Sequence, residues 1–316
     1  MEAVVVQESG ELSVRDVPRP VPGPGQVLVQ VEAMGIGYVD VMALRGDYGG
    51  FPGVGAVPGM EIAGRVTALG PDVPEEMVGR RVFALLPRFG GFARLAVADV
   101  GQVLPAAADW SARDTVALGI NALVAETALE RAGVSAGERV LIRGAGGGIG
   151  VLATQIARAR GAEVTAVTSS EVRGELLRSL GAAHLLDRTA AAATLPESAY
   201  DIVVDTVTGP DLGRYLGLLR PNGRYVLCGA AGGPPGPDAF APLLRDFHRS
   251  PALFAHSLRS ATAEELARSW ERIEALRAAG HLSAVIDRTH PLAEAARAVA
   301  HVAEGRPFGK VVLMSR

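Results

Sequence analysis

The sequence predicts an α/β protein in which a doubly wound parallel sheet follows a β-rich region. Residues 139–229 alternate apolar, strand-like runs with helical segments, an order that builds a parallel sheet covered by helices. The first hundred residues instead contain short strands punctuated by Pro and Gly. A glycine cluster, Gly-Ala-Gly-Gly-Gly-Ile-Gly at 144–150, connects one of the later strands directly to a helix.

The β-rich region comes first. Its candidate strands are Ala3–Val6, Gln26–Ala33, Glu61–Leu69, Arg81–Leu85 and Phe92–Val97. Residues 18–25 read Pro-Arg-Pro-Val-Pro-Gly-Pro-Gly, a turn segment that neither a helix nor a central strand accepts. A long helix follows at Ala112–Arg131, with Ser111 as its N-cap and Gly133 just beyond its end. This helix marks the passage to a second domain.

The glycine cluster lies in the sequence context of a strand–turn–helix unit. Val140–Ile142 is a continuous apolar run, typical of a strand buried on both faces of a parallel sheet. The helix is predicted over Val151–Arg160, where apolar side chains recur at helical spacing, and it ends at Gly161. Glu163–Thr168 is the next strand and completes a βαβ unit.

A glycine-rich turn that leads into a helix offers the unpaired N–H groups of the helix N-terminus to an anion. Gly147 permits a tight turn or a close approach of the backbone to a ligand, and Gly150 lets the helix pack on the strand. The cluster therefore predicts a site for the diphosphate of a dinucleotide. The expected contacts are Ala145, Gly147, Gly148, Ile149 and Gly150. A packing turn without a ligand is the alternative.

The residues after the second strand of this unit predict which nicotinamide cofactor binds. A carboxylate there pairs with the ribose 2′-hydroxyl, whereas an arginine accommodates a 2′-phosphate. The chain has Ser169, Ser170 and Arg173 at this point, which together favour NADPH. Glu171 lies in the same turn and argues for NADH unless it belongs to the first turn of the next helix, where an acidic residue is favourable. A solvated helix residue is the alternative for Arg173.

Further strands and a short helix are predicted after this unit. They are the strand Tyr200–Val207, the helix Asp211–Leu219 and the strand Arg224–Gly229. Ligands of doubly wound sheets bind at the carboxyl ends of the strands, so we expect Val207 and Gly229 to contact the cofactor. The Gly/Pro loop 230–238 is expected to cover it. Asp205 either lies near the cofactor or stabilises a turn.

The last part of the chain is expected to return to the first domain. Thr262–Ala279 is helical in pattern, and Ser283–Leu292 and Lys310–Met314 look like strands. Lys310 is the only lysine among 31 Lys and Arg residues. This isolation suggests that Arg does not replace it, and Lys310 is counted among the predicted cofactor-binding residues. An ordinary strand residue is the alternative.

Composition excludes several classes of function. The 316-residue chain is 48% hydrophobic and 21% charged, as in ordinary globular proteins, and its net charge of −3 argues against a nucleic-acid or anionic-membrane surface. Cys228 is the only cysteine, which rules out an intramolecular disulfide and fits a reducing cytoplasm. We expect neither export nor membrane spanning, since no signal pattern and no apolar run of about 18 residues is visible. The six histidines show no metal-ligand spacing.

Several segments carry a resemblance to a known family. They are Asp40–Tyr48, Gly59–Gly64, Ala145–Gly150, Pro291–Ala295 and Phe308–Leu313. Together they resemble the medium-chain dehydrogenase/reductase superfamily, in its zinc-independent quinone oxidoreductase and 2-enoyl thioester reductase branches. The resemblance implies a GroES-like β-barrel domain at 1–118, completed by 284–316, and a Rossmann dinucleotide-binding domain at 119–283. It also implies a homodimer.

Zinc-dependent members of the superfamily resemble this chain less well. They carry a Cys in the segment that here reads Gly35–Asp40, and a His before Glu61, where this chain has Met60. Their structural zinc lobe with its four cysteines has no counterpart here. The resemblance therefore implies a reductase with no metal ligands.

The reaction implied is hydride transfer from NADPH to an electron-poor double bond or a quinone of a small-molecule substrate. It needs a donor that stabilises the oxyanion and a proton for the other carbon. Tyr48 stands where enoyl thioester reductases carry their catalytic tyrosine, and a phenol keeps its proton at neutral pH. A surface-loop tyrosine beside Gly49 is the alternative.

Two departures from the family pattern bear on activity. Gly37 stands where the relatives usually have Asn, and Val124 where they often have Thr. Both remove polar groups expected near the nicotinamide, and we expect Asn121 or Tyr38 to compensate, with Asn121 among the cofactor-binding residues. The losses raise a second hypothesis, an NADPH-binding protein with vestigial reductase activity that acts as a binding or regulatory partner. One-electron quinone reduction is a rival within enzymes.

Overall fold

The structure is a computed structural model and describes residues 1–189 and 198–315. In chain order the strands are β1 (Glu2–Val6), β2 (Leu12–Asp16), β3 (Gln26–Ile36), β4 (Glu61–Leu69), β5 (Arg81–Leu85), β6 (Leu95–Asp99), β7 (Val103–Pro105), β8 (Arg139–Arg143), β9 (Glu163–Thr168), β10 (His184–Asp187), β11 (Tyr200–Asp205), β12 (Leu219–Leu227), β13 (Ala252–Ala255), β14 (Ile286–Pro291) and β15 (Lys310–Met314). The helices are α1 (Tyr38–Arg45), α2 (Ala112–Arg131), α3 (Gly148–Ala159), α4 (Glu171–Ser179), α5 (Leu212–Leu216), α6 (Ala241–Arg245), α7 (Ala263–Ala278) and α8 (Ala295–Ala303). Within the described ranges, no helix is both long enough and apolar enough to cross a membrane.

One compact unit combines Met1–Ile120, Thr262–Trp270 and Ala284–Arg316. Its larger sheet has the strand order β14-β15-β3-β4-β5-β7, with β6 also paired to β3, and β1 pairs separately with β2. Neighbouring strands are antiparallel except β14 and β15, which run parallel. Alternate apolar residues of β3 face a core that also receives side chains of β4, β5, α1 and α8, as the twofold periodicity of a strand requires.

The second unit combines Asn121–Ala261 and Glu271–Ser283. Its sheet is parallel throughout and has the order β10-β9-β8-β11-β12-β13. Val140–Ile142 of β8 is completely buried, as expected for a central strand that is covered on both faces. The predicted doubly wound parallel sheet is thereby confirmed.

Helix α2 has the predicted bounds but is broken at Gly119, where φ is 26° and ψ is −132°. Ser111 caps the helix as predicted, since its Oγ accepts a hydrogen bond from the N–H of Asp114 at 3.0 Å. At the break, the N–H of Ile120 donates to Oε2 of Glu61 at 2.9 Å instead of to a helical carbonyl. The apolar periodicity gives no sign of this break, because the acceptor lies 59 positions earlier in the chain.

Other elements differ from the sequence prediction. Strand β6 is displaced toward the C-terminus, because the N–H of Phe92 is taken by the carbonyl of Pro58 at 2.8 Å, outside any strand ladder. Helix α3 begins at Gly148, three residues earlier than predicted, because the glycines form its first turn. Helix α5 is shorter than predicted, and β12 starts earlier and ends at Leu227. Helices α1 and α8 were not predicted.

Candidate functional site

The turn between β8 and α3 is a backbone cradle. The N–H of Gly147 donates to the carbonyl of Gly144 at 2.9 Å, and α3 begins at Gly148 without a capping side chain. The amides of the first helical turn, Gly148 to Gly150, have no intrahelical acceptor. They and the positive end of the helix dipole are available to an anion.

Two glycines in the cradle are required by packing. A Cβ on Gly150 would lie 2.6 Å from the Cα of Ala145, and Gly144 has a φ of 75° with the Val207 side chain 2.8 Å from where its Cβ would be. At Gly147 a Cβ would meet only the carbonyl of Gly144, at 3.3 Å. Gly147 is exposed, so the space beside it is open to a ligand. Sequence reasoning had omitted Gly144, which belongs to the same glycine cluster.

Asn121 lies over the first residue of α3. The Asn121 side chain is buried, and a Cβ on Gly148 would clash with its amide and lie 3.1 Å from its Cγ. Glycine at 148 therefore makes room for an amide from α2. The structure thus brings Asn121 next to the glycine turn, as expected if both contact the same cofactor.

The carboxyl ends of β11 and β12 meet beside the cradle. Val207 follows β11 and packs against Gly144, and Gly229 follows β12 with its carbonyl bound by Thr208 Oγ1 at 2.6 Å. The structure thus brings Val207 and Gly229 together with the glycine turn at one edge of the parallel sheet. This edge is where doubly wound sheets bind their ligands.

The polar residues predicted to follow β9 gather at the end of that strand. Ser170 caps α4, and its Oγ accepts from the N–H of Arg173 at 3.4 Å. Glu171 occupies the first turn of α4, so it belongs to the helix, as one of the two alternatives had it. Ser169 is exposed, and its Oγ accepts a hydrogen bond from Nε of Arg188 at 2.9 Å.

Arg188 is a functional candidate that the sequence reading missed. It directly follows β10, which pairs in parallel with β9, and its N–H donates to the carbonyl of Thr168 at 3.0 Å. This pairing places a guanidinium beside Ser169. The short strand before Arg188 is the only sequence signal that could have found it.

Tyr48 follows α1, two residues beyond the left-handed C-cap Gly46. Its ring is half-buried and packs edge-on against Phe89, with 6.2 Å between the ring centroids. Ala43 and Met60 complete the apolar surroundings. The Tyr48 hydroxyl has no hydrogen-bond partner among the described residues and is available as a donor. Tyr38 lies at the start of α1, and its hydroxyl accepts a long, 3.5 Å hydrogen bond from Arg45.

Lys310 belongs to the first unit, where it is buried and paired with Glu61. Its Nζ donates to Oε1 of Glu61. The ammonium is therefore paired with a carboxylate inside the first unit, and the contact of Lys310 with the cofactor stays a prediction. Sequence spacing offered no sign of this partner, which lies 249 positions away.

Asp40 lies beside this ion pair. Its Oδ2 accepts from the N–H of Gly37 at 2.8 Å, whereas its Oδ1 is buried without a partner in the described part of the chain. Burial raises the pKa of the Asp40 carboxyl to about 7, although the Gly37 N–H and Lys310 favour its charged form. The first unit therefore contains a buried carboxyl that changes charge near neutral pH.

The positions that hold zinc in the zinc-dependent branch have other chemistry here. The segment Gly35–Asp40 contains no Cys, and Met60, which precedes Glu61, lies in the apolar cluster around Tyr48. In residues 1–189 and 198–315, no three His, Cys, Asp or Glu side chains are grouped so that they could hold a metal ion.

Family models match both parts of the chain. The alcohol dehydrogenase GroES-like domain matches residues 23–108, and the zinc-binding dehydrogenase model matches residues 180–313. The quinone oxidoreductase of Mus musculus is 31% identical and aligns over 99% of this chain and 98% of its own length. A polyketide synthase protein of Streptomyces orinoci is 36% identical over 92% of this chain, which spans 13% of that protein.

Solved structures agree with these sequence matches. The quinone oxidoreductase of Pseudomonas syringae has a TM-score of 0.91 at 26% identity, over 99% of each chain. A mycobacterial protein solved in complex with NADPH has a TM-score of 0.90 at 27% identity, again over 99% of each chain. The predicted combination of a GroES-like domain with a Rossmann-like parallel sheet is confirmed. With full-length similarity to quinone oxidoreductases, this chain belongs to the medium-chain dehydrogenase/reductase superfamily, in its zinc-independent quinone oxidoreductase-like branch.

Proposed function

We propose that this chain is an NADPH-dependent, zinc-independent reductase that transfers hydride to an activated C=C bond, in an enone or enoyl thioester, or to a quinone. The observation that carries the proposal is the cradle at the carboxyl edge of the parallel sheet, where the exposed Gly147 and the free amides of α3 leave room for an anion. The quinone oxidoreductases among its relatives and the neighbour solved with NADPH support this assignment.

Residues at several strand ends fit a bound NADPH. The amides of the first turn of α3 would bind its diphosphate. Hydroxyl and guanidinium groups after β9 and β10 suit its 2′-phosphate; they belong to Ser169, Ser170, Arg173 and Arg188. Asn121, Val207 and Gly229 would line the rest of the NADPH site. When bound, NADPH supplies the hydride, which no amino-acid side chain can provide.

Tyr48 is the residue proposed to act on the substrate. Its Oη would donate a hydrogen bond to the carbonyl or quinone oxygen on which negative charge develops, and would hold the proton that this oxygen or the adjacent carbon receives. The apolar contacts of its ring with Phe89 and Met60 keep water from one side of the phenol. A hydrogen bond formed in such surroundings is electrostatically stronger than one in water.

Calorimetry and stopped-flow kinetics test the proposal. We expect the purified protein to bind NADPH more tightly than NADH, and at least one acceptor among enones, enoyl thioesters and quinones to oxidise NADPH above background. Uptake of neither cofactor would overturn the proposal. Tight binding without turnover on the whole panel would favour a binding protein with vestigial activity, a function that the missing polar side chains at Gly37 and Val124 favour.

A further inference from the structure

The carboxylate of Asp205 organises the turn after β11. Its Oδ1 accepts hydrogen bonds from the N–H of Val207 at 2.7 Å and of Thr208 at 2.9 Å. Its Oδ2 accepts from the Tyr225 hydroxyl at 2.6 Å and from Nη1 of Arg143 at 3.0 Å. Asp205 is 0% exposed. Since the protein itself uses both oxygens, Asp205 shapes the turn and leaves no oxygen for a ligand.

Tyr225 and Arg143, the two donors to Oδ2, keep their protons and so keep the Asp205 carboxylate hydrogen-bonded. Burial, together with the charge of Asp205, raises the pKa of Tyr225 far above its ordinary range, so the phenol remains a donor. Arg143 is the last residue of β8 and immediately precedes the cradle. Asp205 therefore joins the strand that carries the cradle to the turn after β11.

Thr208 is held in the left-handed region of backbone conformation, with a φ of 60°. β-branched residues rarely adopt this conformation, and it persists only where surrounding bonds enforce it, commonly at ligand sites. Here the N–H of Thr208 is bound by Asp205, and its buried Oγ1 donates to the carbonyl of Gly229 at 2.6 Å. Two side-chain hydrogen bonds thus maintain the turn against its local preference.

The turn is also fastened to the segment that follows β12. The N–H of Gly232 donates to the carbonyl of Val207 at 2.7 Å. A Cβ on Gly229 would lie 3.0 Å from the Cα of Thr206, so the two backbones touch. Residues 206–209 and 229–232 form one surface at the carboxyl edge, here called the β11–β12 wall.

Sheet order relates this wall to one half of the cofactor. The order is β9-β8-β11-β12, and neighbouring strands are about 4.8 Å apart. A 2′-phosphate at the end of β9 and a diphosphate at the end of β8 place the adenosine half on the β9 side. The nicotinamide half then extends to the opposite side of β8, along the β11–β12 wall.

We propose that Asp205 and Thr208 are positioning residues for the nicotinamide half of NADPH. Asp205 orders the turn after β11, and the Thr208 hydroxyl ties it to Gly229, so that Val207 is presented at a fixed position. The proposal rests on the NADPH site proposed above. It adds residues that determine affinity for one half of the cofactor without touching it.

Substitutions at Thr208 provide the test. Thr208→Val removes the hydroxyl but keeps the branching and size, and Thr208→Ser keeps the hydroxyl. Thr115→Val is the matched control, because Thr115 is also buried and its Oγ1 donates to the carbonyl of Ser111 at 2.8 Å in the first unit. Calorimetry measures the Kd of each protein for NADPH and for adenosine 2′,5′-bisphosphate, which lacks the nicotinamide half. Thermal unfolding of the unliganded proteins is followed in parallel.

We expect Thr208→Val to weaken NADPH binding about 10-fold, as loss of one buried hydrogen bond predicts, and to leave the Kd for the bisphosphate within about twofold. Thr208→Ser should bind like the wild type, and Thr115→Val should lower Tm without changing either Kd. Tyr225→Phe, which removes one donor to Asp205, should weaken NADPH binding about threefold. Unchanged NADPH binding in Thr208→Val and Tyr225→Phe, or an equal loss for both ligands, would overturn the inference. Failure of the wild type to bind NADPH would instead overturn the proposed function.

Discussion

Lys310 donates a hydrogen bond from Nζ to Oε1 of Glu61 across the strand that separates them, and each side chain is 2% exposed. Lys310 begins β15 and Glu61 begins β4, with β3 between them in the sheet. Gly35 of β3 makes room for the pair, since a Cβ there would lie 2.7 Å from Cε of Lys310. The other oxygen of Glu61 accepts from Ile120 at the break in α2. One buried ion pair therefore connects two strands and a helix of the first unit.

Lys310→Met should destabilise the protein by about 3–5 kcal/mol, because it leaves the buried Glu61 carboxylate without its partner. Urea unfolding measures the change. Adding Glu61→Gln to the same chain should recover part of the loss, since Gln carries no charge and can still accept from the N–H of Ile120. If Lys310→Met alone were as stable as the wild type, the ion pair would contribute nothing to the free energy of unfolding.

Asp40→Asn should change how stability depends on pH. Burial raises the pKa of Asp40 from its ordinary value of 3.8 to about 7 in the folded protein, so the folded state binds the proton more tightly than the unfolded state. Its contribution to stability is complete below about pH 4 and is lost as pH rises to 7. Relative to wild type, the variant should gain stability between pH 5 and pH 8, on the order of a few kcal/mol. Urea unfolding at pH 5 and pH 8 measures the free energy of unfolding of both proteins. The same difference between variant and wild type at both pH values would contradict the prediction.

Two glycines of the cradle should respond differently to alanine. Gly150→Ala should unfold or greatly destabilise the second unit, because its Cβ would lie 2.6 Å from the Cα of Ala145, and backbone must move to relieve the clash. Gly147→Ala should fold with nearly unchanged Tm and bind NADPH at least about 10-fold more weakly, because its methyl group occupies the space that faces the ligand. Thermal unfolding and calorimetry separate the two effects. The reverse ranking in Tm would contradict the packing described for α3.

Arg188→Gln should lower the preference for NADPH over NADH. The guanidinium of Arg188 beside Ser169 suits the 2′-phosphate, and loss of a hydrogen bond to a charged group corresponds to about a 10-fold change in Kd. The Kd for NADH should remain within about twofold. Arg178→Gln is the control, because Arg178 lies in the last turn of α4, is paired with Glu175 and donates to the carbonyl of Ala183 before β10, away from Ser169. An equal change in the Kd for NADPH and for NADH would show that Arg188 does not determine the selectivity between them.

Tyr48→Phe should reduce kcat/KM about 100- to 1,000-fold with the best acceptor, as removal of one oxyanion donor does in other enzymes. The Kd for NADPH should not change, because the ring and its packing on Phe89 are retained. Tyr38→Phe, which removes a hydroxyl held by the long hydrogen bond with Arg45, tests in parallel whether Tyr38 compensates for the polar groups lost at Gly37 and Val124. Full turnover by Tyr48→Phe with normal cofactor binding would exclude the phenol from the mechanism.

Elements whose signal lies within a few consecutive residues were predicted well. Strands β4, β5, β9 and β15 have the predicted bounds, because their apolar runs are short and end at polar or turn-forming residues. The glycine cluster also lies between the expected strand and helix. Its local pattern separated Gly150, which packing requires, from Gly147, which faces open space, but it gave no role to Gly144. The role of Gly144 depends on Val207, which only the folded chain brings near it.

By itself the sequence determined the class of the protein: a β-rich unit, a parallel α/β sheet and a glycine-rich turn at the start of a helix, each encoded by side chains that are neighbours in the chain. The tertiary structure decided which residues distant in the chain contact one another. Arg188 reaches Ser169 because β10 pairs with β9, α2 breaks at Gly119 because Glu61 accepts a hydrogen bond there, and Lys310 is buried because the same Glu61 neutralises it. These contacts join residues far apart in the chain, and burial makes them strong, so no local pattern could reveal them.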